Sequence, residues 1–466
     1  MGKLQSVTAL AASIALVAGI SGSTNAAPAS VGDDGIGDPY FPKYGNGGYR
    51  VAHYGIDVTY HPKSRRLVGN TVVRARAKQR LTRFNLDLLV RAKRVRVNGK
   101  RVRFRQSKHE LVIRPRHAIR RGKRFRVRVA YAGEPGSIRW HGRTAFKTNP
   151  RLALAAGQPN VAPWWFPSND HPSDKARYAI DLTVPTGRQA ISNGRLAGRV
   201  RHGSMTTWRW RPRKPMATYL AFATFGDYRI RRGRTQGGQP YLYAVEKHIG
   251  RKTDRAAWRS LRATGRVTRF LAKRWGRYPY GQIGGVVTRR FTTALENQTR
   301  PVYDASFFHN LKRPANTSII AHEMAHQWFG DAVAIRRWRN IWLNEGYATY
   351  SAWMWSQRLG RNTVKQLFHY NYKRPASAKY WRFKVADPGP RRLFHDAVYT
   401  RGAMTLHALR RTIGSKDFFA LSRRWVHRNN GIGSEREYRR LAEHISGKDL
   451  DRFFHRWVHA RHKPKL

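Results

Sequence analysis

Polar and apolar residues alternate along the chain from Tyr49 to about Tyr228, a period typical of β-strands with one buried face. Between Arg94 and Phe104, cations alternate with apolar residues around an Asn98-Gly99 pair, which predicts a tight hairpin. The segment from Lys123 to Val129 repeats the alternation. We therefore predict a β domain whose sheet packs one face and presents a field of arginines on the other. Those arginines form either a solvated surface or an anion-binding surface.

The period changes after about Arg231, where Leu, Ile, Trp and Phe recur every three or four residues. This helical spacing covers Ala256 to Trp275 and the stretches that follow Asn316 and Asn340. The change predicts a domain boundary near residue 230. We expect an N-terminal β domain over 49–230 and a mainly helical domain over 231–466.

The first 28 residues have the pattern of a secretory signal peptide. Lys3 supplies a positive start, Val7 to Ile20 forms an apolar run, and the small residues that follow offer cleavage points near Ala26 or Ala27. The run is too short to span a bilayer as a helix, and no other segment approaches the necessary length. We expect a secreted, extracellular protein without a transmembrane segment, in which residues 29–48 are a Gly/Pro-rich lead-in. The alternative is an N-terminal helix of the fold.

Charge and cysteine content narrow the functional classes. The 466 residues carry 91 Lys and Arg against 26 Asp and Glu, a formal charge of +65, yet 41% of them are hydrophobic. That hydrophobic share is enough for packed cores and excludes a disordered polyelectrolyte. The excess charge predicts non-specific binding to anionic polymers or surfaces, although the chain has no specific nucleic-acid motif. The absence of cysteine excludes disulfides, thiolate catalysis and cysteine-ligated zinc.

The segment His322-Glu323-Met324-Ala325-His326 has the spacing of a zinc site on a helix. It lies in an apolar run that starts near Asn316 or Ser318, either of which can cap a helix, and Gly330 is the expected stop. Residues four apart lie on one face of a helix, so both imidazoles can reach one zinc ion. Glu323 would stand beside the metal, where it can take a proton from a water molecule that zinc activates.

A catalytic zinc needs a third protein ligand and an open position. Glu345 follows after a loop of sufficient length, in a segment over 340–348 that has helical character despite Gly346. We therefore predict one Zn²⁺ per chain, held by His322, His326 and Glu345. The competing interpretation is a helix with two hydrogen-bonded histidines and an ordinary surface glutamate.

Further segments extend the pattern beyond the metal motif. They are the runs 321–331 and Trp342–Ala348 around the ligands, Ala294–Asn297, Val398–Ala403, and Trp165–Asp170 with Asp174–Ala176. Together they resemble the zinc aminopeptidases of the thermolysin-like (gluzincin) clan, of the alanyl/leucyl aminopeptidase type, over about residues 45–410. Ala294–Asn297 occupies the place of that family's Gly-x-Met-Glu-Asn motif, and Val398–Ala403 matches the segment with its catalytic tyrosine.

The resemblance implies a multi-domain α+β fold. An N-terminal antiparallel β-sandwich or saddle domain would be followed by a thermolysin-like, mainly helical zinc catalytic domain. Many family members continue into a large C-terminal helical domain, which we expect to be absent because the chain ends about 120 residues after Glu345. A cleft without that domain would admit longer peptides.

The resemblance also implies roles for individual residues. Glu296 would bind the α-amino group of the substrate, with Asn297 beside it as a further substrate-binding residue. Tyr399 would donate its hydroxyl to the oxyanion that forms at the scissile carbonyl. The family usually has a second acidic residue at the amine anchor, and Gln158 stands at that position here. A glutamine can accept a hydrogen bond from an ammonium group but supplies no charge.

Three functions remain open at this point. The first is a secreted zinc aminopeptidase that removes N-terminal residues from peptides, with Glu323 as general base and Tyr399 as oxyanion donor. The second is a zinc endopeptidase with an open cleft, which Gln158 favours and Glu296 opposes. The third is an anionic-polymer-binding protein with a vestigial zinc site. The spread of basic residues along the whole chain opposes the third, because a binding stripe would concentrate them.

Overall fold

The computed structural model describes residues 31–309, 317–428 and 431–466. The signal peptide with cleavage near Ala26 or Ala27, and the helix cap at Asn316, lie outside the described residues. Both stay predictions.

The described chain begins with a β domain that contains three sheets. Its strands are β1 (Tyr49–His61), β2 (Arg66–Ala77), β3 (Phe84–Asp87), β4 (Ala92–Val97), β5 (Lys100–Arg101), β6 (Arg103–Ser107), β7 (Glu110–Arg114), β8 (Arg124–Gly133), β9 (Phe146–Thr148), β10 (Leu152–Ala155), β11 (Arg177–Pro185), β12 (Gln189–Ser192), β13 (Arg195–His202), β14 (Met205–Arg211) and β15 (Ala223–Gly226). Within the described residues, the largest sheet has the order β13-β14-β11-β1-β2-β8-β4-β5. The smaller ones have the orders β3-β7-β6 and β12-β15-β10-β9.

The alternating pattern is confirmed where it is strongest. Along β8, Arg124, Arg126 and Arg128 are exposed while the residues between them are buried, so one face of the sheet packs and the other carries arginines. The predicted hairpin joins β4 to β5, with Val97 opposite Lys100. Asn98 and Gly99 have φ values of 50° and 86°, the left-handed conformations that a two-residue hairpin turn requires.

The expected antiparallel β domain has a parallel pair of strands at the centre of its large sheet. β1 pairs with β11 in parallel, with His53 opposite Arg177 and Thr59 opposite Thr183. A parallel pair needs a long connection, and more than a hundred residues separate these two strands, whereas neighbouring strands joined by hairpins pair antiparallel. Local alternation reports burial of one face and carries no information on such a distant partner.

The second part of the described chain combines a small sheet with helices. The strands are β16 (Tyr228–Arg234), β17 (Pro240–Glu246), β18 (Ile283–Thr288), β19 (Ala294–Leu295), β20 (Val302–Asp304), β21 (Ala334–Ile335) and β22 (Ile432–Gly433). The helices are α1 (Arg251–Arg262), α2 (Thr264–Trp275), α3 (Thr317–His326), α4 (Trp342–Arg358), α5 (Val364–Tyr372), α6 (Asp396–Ile413), α7 (Ser415–Val426), α8 (Glu435–Ser446) and α9 (Asp451–Phe454), which a π-helical turn over His455–His459 extends. β16 to β20 form a sheet of order β16-β17-β18-β20-β19. α3 packs against α2 and α4, and α4 packs against α6.

The helical spacing is confirmed, with differences at helix ends. The stretch from Ala256 to Trp275 belongs to two helices, because α1 ends and α2 begins on either side of Ala263. α3 ends at His326, before the predicted stop at Gly330, because the amide groups of Gln327 and Trp328 bond to carbonyls three residues back and tighten the last turn. Ser318 lies inside α3.

The division at residue 230, with ranges 49–230 and 231–466, stays a prediction, and so does the absence of a large C-terminal helical domain. In the described part of the chain, no helix combines the length and apolar character needed to cross a bilayer.

Candidate active site

Three side chains from two helices converge at one point. α3 carries His322 and His326 one turn apart, and their Nε2 atoms lie 3.3 Å from each other. Glu345, in the first turn of α4, places Oε2 at 3.3 Å from both Nε2 atoms. The packing of α3 against α4 brings these distant parts of the sequence together. The three predicted zinc ligands therefore lie side by side.

The spacing of the three donor atoms fits a zinc ion. A triangle with sides of 3.3 Å matches three corners of a tetrahedron whose centre lies about 2.0 Å from each corner, the length of zinc bonds to nitrogen and carboxylate oxygen. The Nδ1 atom of His326 lies 3.0 Å from the carbonyl oxygen of Phe329. A proton on Nδ1 would be donated to that carbonyl and would leave Nε2 free as a ligand.

Glu323 lies beside the ligands on α3 and is only 3% exposed. Its Oε2 atom has no hydrogen-bond partner among the described residues. Burial raises the pKa of Glu323 well above its usual range; His326 opposes this rise, whereas Glu296 and Glu345 add to it. A buried carboxyl group with a raised pKa is suited to accept a proton and return it.

Tyr399 lies in the first turn of α6 and faces the same point. Its ring stacks on the imidazole of His322, with ring centroids 6.0 Å apart and 22° between the planes. Burial raises the pKa of Tyr399 well above its usual value, and the carboxyl groups of Glu345, Glu296 and Glu323 raise it further. The hydroxyl group therefore keeps its proton and can donate it in a hydrogen bond.

Glu296 follows β19 and is 2% exposed. The side-chain amide of Gln158 donates to its Oε1 at 2.6 Å, and the hydroxyl of Tyr219 donates to the same oxygen at 3.1 Å. Burial raises the pKa of Glu296, with an opposing effect of His326. The structure thus brings Glu296 and Gln158 into direct contact. Sequence reasoning missed Tyr219, because it lies in a 3₁₀ turn of the β domain and belongs to no recognised motif.

Asn297, the remaining predicted substrate-binding residue, points its side-chain amide at the β domain. Its Nδ2 donates to the carbonyl of Leu220 at 3.0 Å, and its Oδ1 is buried without a hydrogen-bond partner among the described residues. Gln327 holds the same segment from the other side. It donates to the backbone carbonyl of Glu296 at 3.0 Å and accepts from the amide of Thr299 at 2.7 Å. Gln327, the residue that follows α3, therefore fixes the backbone that carries Glu296.

One cleft of about 2740 Å³ contains the reactive groups, whereas Tyr219, Asn297 and Gln327 do not line it. Residues of the β domain, of the small sheet and of the helices line it together. Its walls include the three ligand candidates, Glu323, Tyr399, Glu296 and Gln158. The arrangement can hold a metal ion, move a proton, donate to an oxyanion and bind a cation, all within one space.

A β domain joined to a helical domain with this ligand set defines the gluzincin class of zinc metallopeptidases. Residues 261–457 match the Peptidase family M1 domain, and residues 51–220 match the Peptidase M1 N-terminal domain. Together the two matches span most of the chain, and the chain belongs to peptidase family M1. The fold is the two-domain M1 fold, with an N-terminal β domain and a helical catalytic domain, and family membership implies a zinc cofactor.

Curated relatives are similar at a moderate level. The chain is 23% identical over 356 residues to aminopeptidase N of Haemonchus contortus, covering 71% of this chain and 36% of the relative. It is 24% identical over 259 residues to leucyl aminopeptidase of Saccharolobus solfataricus, covering 52% of this chain and 29% of the relative. The chain therefore spans about a third of the length of these relatives.

Solved structures match over nearly their whole length. The M1 zinc metallopeptidase of Deinococcus radiodurans superposes with a TM-score of 0.81 at 26% identity, over 92% of this chain and 99% of that chain. A mutant of a two-domain M1 zinc metallopeptidase bound to L-arginine has a TM-score of 0.83 at 26% identity, with 93% and 99% covered. A mutant of the Deinococcus radiodurans protein bound to a Tyr-Ser-Ala substrate has a TM-score of 0.78 at 25% identity, with 93% and 98% covered.

Proposed function

We propose that this protein is a zinc aminopeptidase that removes residues from the free N-terminus of peptides. The observation that carries the proposal is that the metal-ligand cluster and the buried carboxyl groups of Glu323 and Glu296 lie together in one cleft of the described residues. Zinc held by His322, His326 and Glu345 would polarise the scissile carbonyl and lower the pKa of an attacking water molecule.

The side chains of this protein would divide the remaining chemistry. Glu323 would take a proton from the attacking water and pass it to the leaving amine. Tyr399 would donate a hydrogen bond to the carbonyl oxygen as negative charge develops on it. Glu296 would bind the substrate ammonium group by a charge-assisted hydrogen bond. Gln158 and Tyr219 already donate to one oxygen of Glu296, so they would orient the carboxylate toward that ammonium group.

The solved relatives support removal of single residues. Mutants of a two-domain M1 zinc metallopeptidase bind L-arginine or L-tryptophan, and a mutant of the Deinococcus radiodurans protein binds the substrate Tyr-Ser-Ala. A free amino acid is what cleavage after the first residue releases, and a tripeptide offers a free N-terminus. By this analogy, peptides with free N-termini are the proposed substrates of this chain.

A panel of matched peptides tests the proposal. The metal-loaded protein should cleave peptides with a free N-terminus and release single residues. It should not cleave the N-acetylated forms of the same peptides. In Glu296→Gln, kcat/KM for free peptides should fall at least tenfold while zinc content stays the same, because the neutral side chain keeps its shape but not its charge. Unchanged exopeptidase rates in a metal-loaded Glu296→Ala variant would defeat the anchor assignment.

An endopeptidase is the second candidate, and the size of the cleft favours it. A volume of about 2740 Å³ exceeds the range of about 300–1,000 Å³ usual for small-molecule pockets, so a longer chain would fit. Internal cleavage of N-acetylated peptides at rates equal to those of free peptides would select this function. Zinc-free protein that binds polyphosphate but shows no turnover after zinc addition would select the anionic-polymer-binding alternative.

We also propose that the protein is secreted, on the signal-peptide pattern of residues 1–28. N-terminal sequencing of protein recovered from the culture medium should find a chain that starts just after Ala26 or Ala27. Retention of the intact N-terminus inside the cell would contradict secretion.

A further inference from the structure

A second cluster of metal-ligating side chains lies in the β domain. Asp87 ends β3, His109 occupies the turn between β6 and β7, and Glu110 begins β7. Asp87 and Glu110 lie directly opposite each other in the antiparallel pair of β3 and β7. Two like charges at such a position destabilise a sheet, so their placement calls for a compensating positive charge.

Each carboxylate has one oxygen held by amide donors and one oxygen without a partner. Oδ2 of Asp87 accepts from the side chain of Asn46 at 3.1 Å and from the backbone of Asp170 at 2.8 Å. Oε2 of Glu110 accepts from the side chain of Asn85 at 3.0 Å. Oδ1 of Asp87 and Oε1 of Glu110 are buried and have no hydrogen-bond partner among the described residues, and Asp87 is 0% exposed.

The two free oxygens face the same imidazole nitrogen. Nε2 of His109 lies 3.3 Å from Oε1 of Glu110 and 3.8 Å from Oδ1 of Asp87, and the three atoms lie within 4.8 Å of one another. The carbonyl oxygen of Lys43 lies 2.8 Å from the same nitrogen. In the tautomer with the proton on Nδ1, Nε2 presents a lone pair, and three oxygen atoms with lone pairs lie 2.8–3.8 Å from it.

The described residues supply no other cation for these oxygen atoms. Within them, the ion pairs of Asp87 and Glu110 are with His109 alone. The chain has 91 lysines and arginines, so a shortage of cationic residues does not explain why none of the described ones pairs with Asp87 or Glu110. The histidine is also fixed in place, because its ring packs against Tyr44 at 5.7 Å and Trp140 at 4.7 Å between ring centroids.

We propose that Asp87, His109, Glu110 and the carbonyl of Lys43 bind a second divalent cation, distinct from the zinc of the catalytic centre. Adjacent ligands around an octahedral cation with bonds of about 2.0–2.4 Å lie about 2.8–3.4 Å apart; Nε2 lies 2.8 Å from the Lys43 oxygen and 3.3 Å from Oε1 of Glu110, within that range, and 3.8 Å from Oδ1 of Asp87. One imidazole with three oxygens, and no thiolate, suits Mn²⁺ or Zn²⁺. The amide donors of Asn46 and Asn85 orient the ligating carboxylates, as outer-shell partners do in known metal sites.

The position of the site gives it a structural consequence. His109, Glu110 and Lys43 also line the wall of the catalytic cleft, and Lys43 belongs to the segment that precedes β1. A cation bound there joins this segment to β3 and to the turn before β7. Binding should therefore stabilise one wall of the cleft without taking part in the hydrolytic chemistry.

Metal stoichiometry of the full chain tests the proposal directly. After equilibration with Mn²⁺ or Zn²⁺ and removal of free metal, the wild-type protein should retain two metal ions per chain. Elemental mass spectrometry measures this ratio. His109→Asn and Glu110→Gln should each retain one. Their matched controls, the exposed-residue variants His117→Asn and Glu134→Gln, should retain two.

A second measurement separates this site from the catalytic centre and from a folding defect. A His326→Ala chain, which lacks one candidate zinc ligand, should still bind one Mn²⁺ and show a higher Tm when Mn²⁺ is added. Adding Glu110→Gln to that chain should weaken Mn²⁺ binding at least tenfold and abolish the rise in Tm. One ion per chain in the wild type, or no Mn²⁺ binding by His326→Ala, would show instead that His109 and the carboxylates form a metal-free ion pair.

Discussion

Glu323 and Glu345 carry the same carboxyl group in the same cleft, yet their neighbours give them opposite proton affinities. Burial disfavours the charged form of both. At Glu345, His326 and His322 outweigh burial and lower the pKa to about 2, so the group is an anion ready to bind a metal ion. Glu323 receives no direct hydrogen bond at Oε2, and its pKa is raised. The two side chains thus suit two different tasks, ligand and base.

Replacing Glu323 with glutamine should separate these tasks. Glu323→Gln keeps the size of the side chain but removes the proton acceptor, so kcat should fall by roughly 10²–10⁴-fold. Zinc content should stay at the wild-type level, because the three ligand candidates are untouched. Steady-state kinetics together with metal analysis checks both. Full activity in a zinc-loaded Glu323→Gln protein would rule out the base role.

At the residue scale, the metal ligands could be predicted because their spacing follows from helix geometry. His322 and His326 are one turn apart, and a carboxylate at Glu345 completes the set. Tyr219 and Gln327 could not be predicted as parts of the anchor. Tyr219 reaches Glu296 only through the packing of the β domain on the catalytic domain, and Gln327 acts on its backbone. A single sequence holds no local signal for either contact.

At the scale of secondary-structure elements, the contact between α4 and α6 sets the distance between Glu345 on α4 and Tyr399 on α6. Gly346 and Gly402 let the two helices touch backbone to backbone. A Cβ atom on Gly346 would lie 2.9 Å from the carbonyl carbon of Gly402, closer than real Cβ atoms come to backbone. Glu345 is adjacent to one glycine, and Tyr399 precedes the other by three residues. This contact explains why Gly346 lies inside α4, although glycine is a poor helix former and the residues around it favour a helix.

Adding one methyl group at this crossing should disturb stability and activity together. Gly346→Ala should lower the free energy of unfolding by about 1–3 kcal/mol, as overpacking does in other cores, and should lower kcat by moving Glu345 relative to Tyr399. Gly281→Ala is the matched control, because a Cβ there meets nothing within 4 Å. Denaturant unfolding and kinetics measure both effects. A Gly346→Ala protein with wild-type stability would contradict the close contact.

The first turn of α8 offers a pH-dependent prediction. Glu437 forms a capping box with Ser434 and pairs with Arg336 and Arg428. Burial opposes its charged form, but the hydrogen bonds from Arg336 and Ser434 outweigh burial and lower the pKa of Glu437 to about 2. Because the folded-state pKa lies below the ordinary value of 4.5, its stabilising effect is complete above about pH 4.5 and is lost as pH falls through about 2.

Glu437→Gln should therefore destabilise the fold by about 1 kcal/mol at pH 7, because the ion pairs with Arg336 and Arg428 are lost and the bond to the Ser434 backbone loses its charge. The difference from wild type should shrink progressively below about pH 4.5, in unfolding experiments on metal-free protein at pH 7 and pH 3. Glu134→Gln, an exposed site, should show no difference at either pH. A penalty for Glu437→Gln that stays constant between the two pH values would argue against the ionised cap.

The sequence predicted whether a segment is a strand or a helix better than it predicted which other segments that strand or helix contacts. Alternation identified β8, and helical spacing identified α3 and α4, because each pattern reports which face of one segment is buried. The parallel pairing of β1 with β11, and the division of the Ala256–Trp275 stretch at Ala263, depend on contacts with distant segments. Those contacts leave no periodic signal in the sequence.

At the scale of the whole molecule, the sequence gives the net charge of +65, but it does not show which of the cationic residues line the cleft. Nine lysines and arginines that line the cleft form no ion pair with a carboxylate of the described residues: Arg83, Arg103, Arg105, Lys108, Arg114, Arg143, Lys147, Arg391 and Arg392. Against this background, Glu296 is the carboxylate proposed to bind the cationic N-terminus, and its partner at the anchor, Gln158, is neutral. The cleft should therefore favour peptides that bring negative charge with them.

Peptides of equal length and identical first residue, with acidic or basic residues downstream, test this expectation. At about 10 mM salt, where screening is weak, kcat/KM should be about tenfold or more higher for the acidic peptides, and the ratio should approach one near 1 M salt. Arg103→Gln with Arg105→Gln should reduce the ratio. Arg124→Gln with Arg126→Gln, an equal loss of charge on the exposed face of β8, should leave it unchanged. Equal cleavage of both peptides at low salt would contradict this expectation. It would mean that the cations of the cleft do not interact with the substrate and that the positive charge does not affect substrate preference.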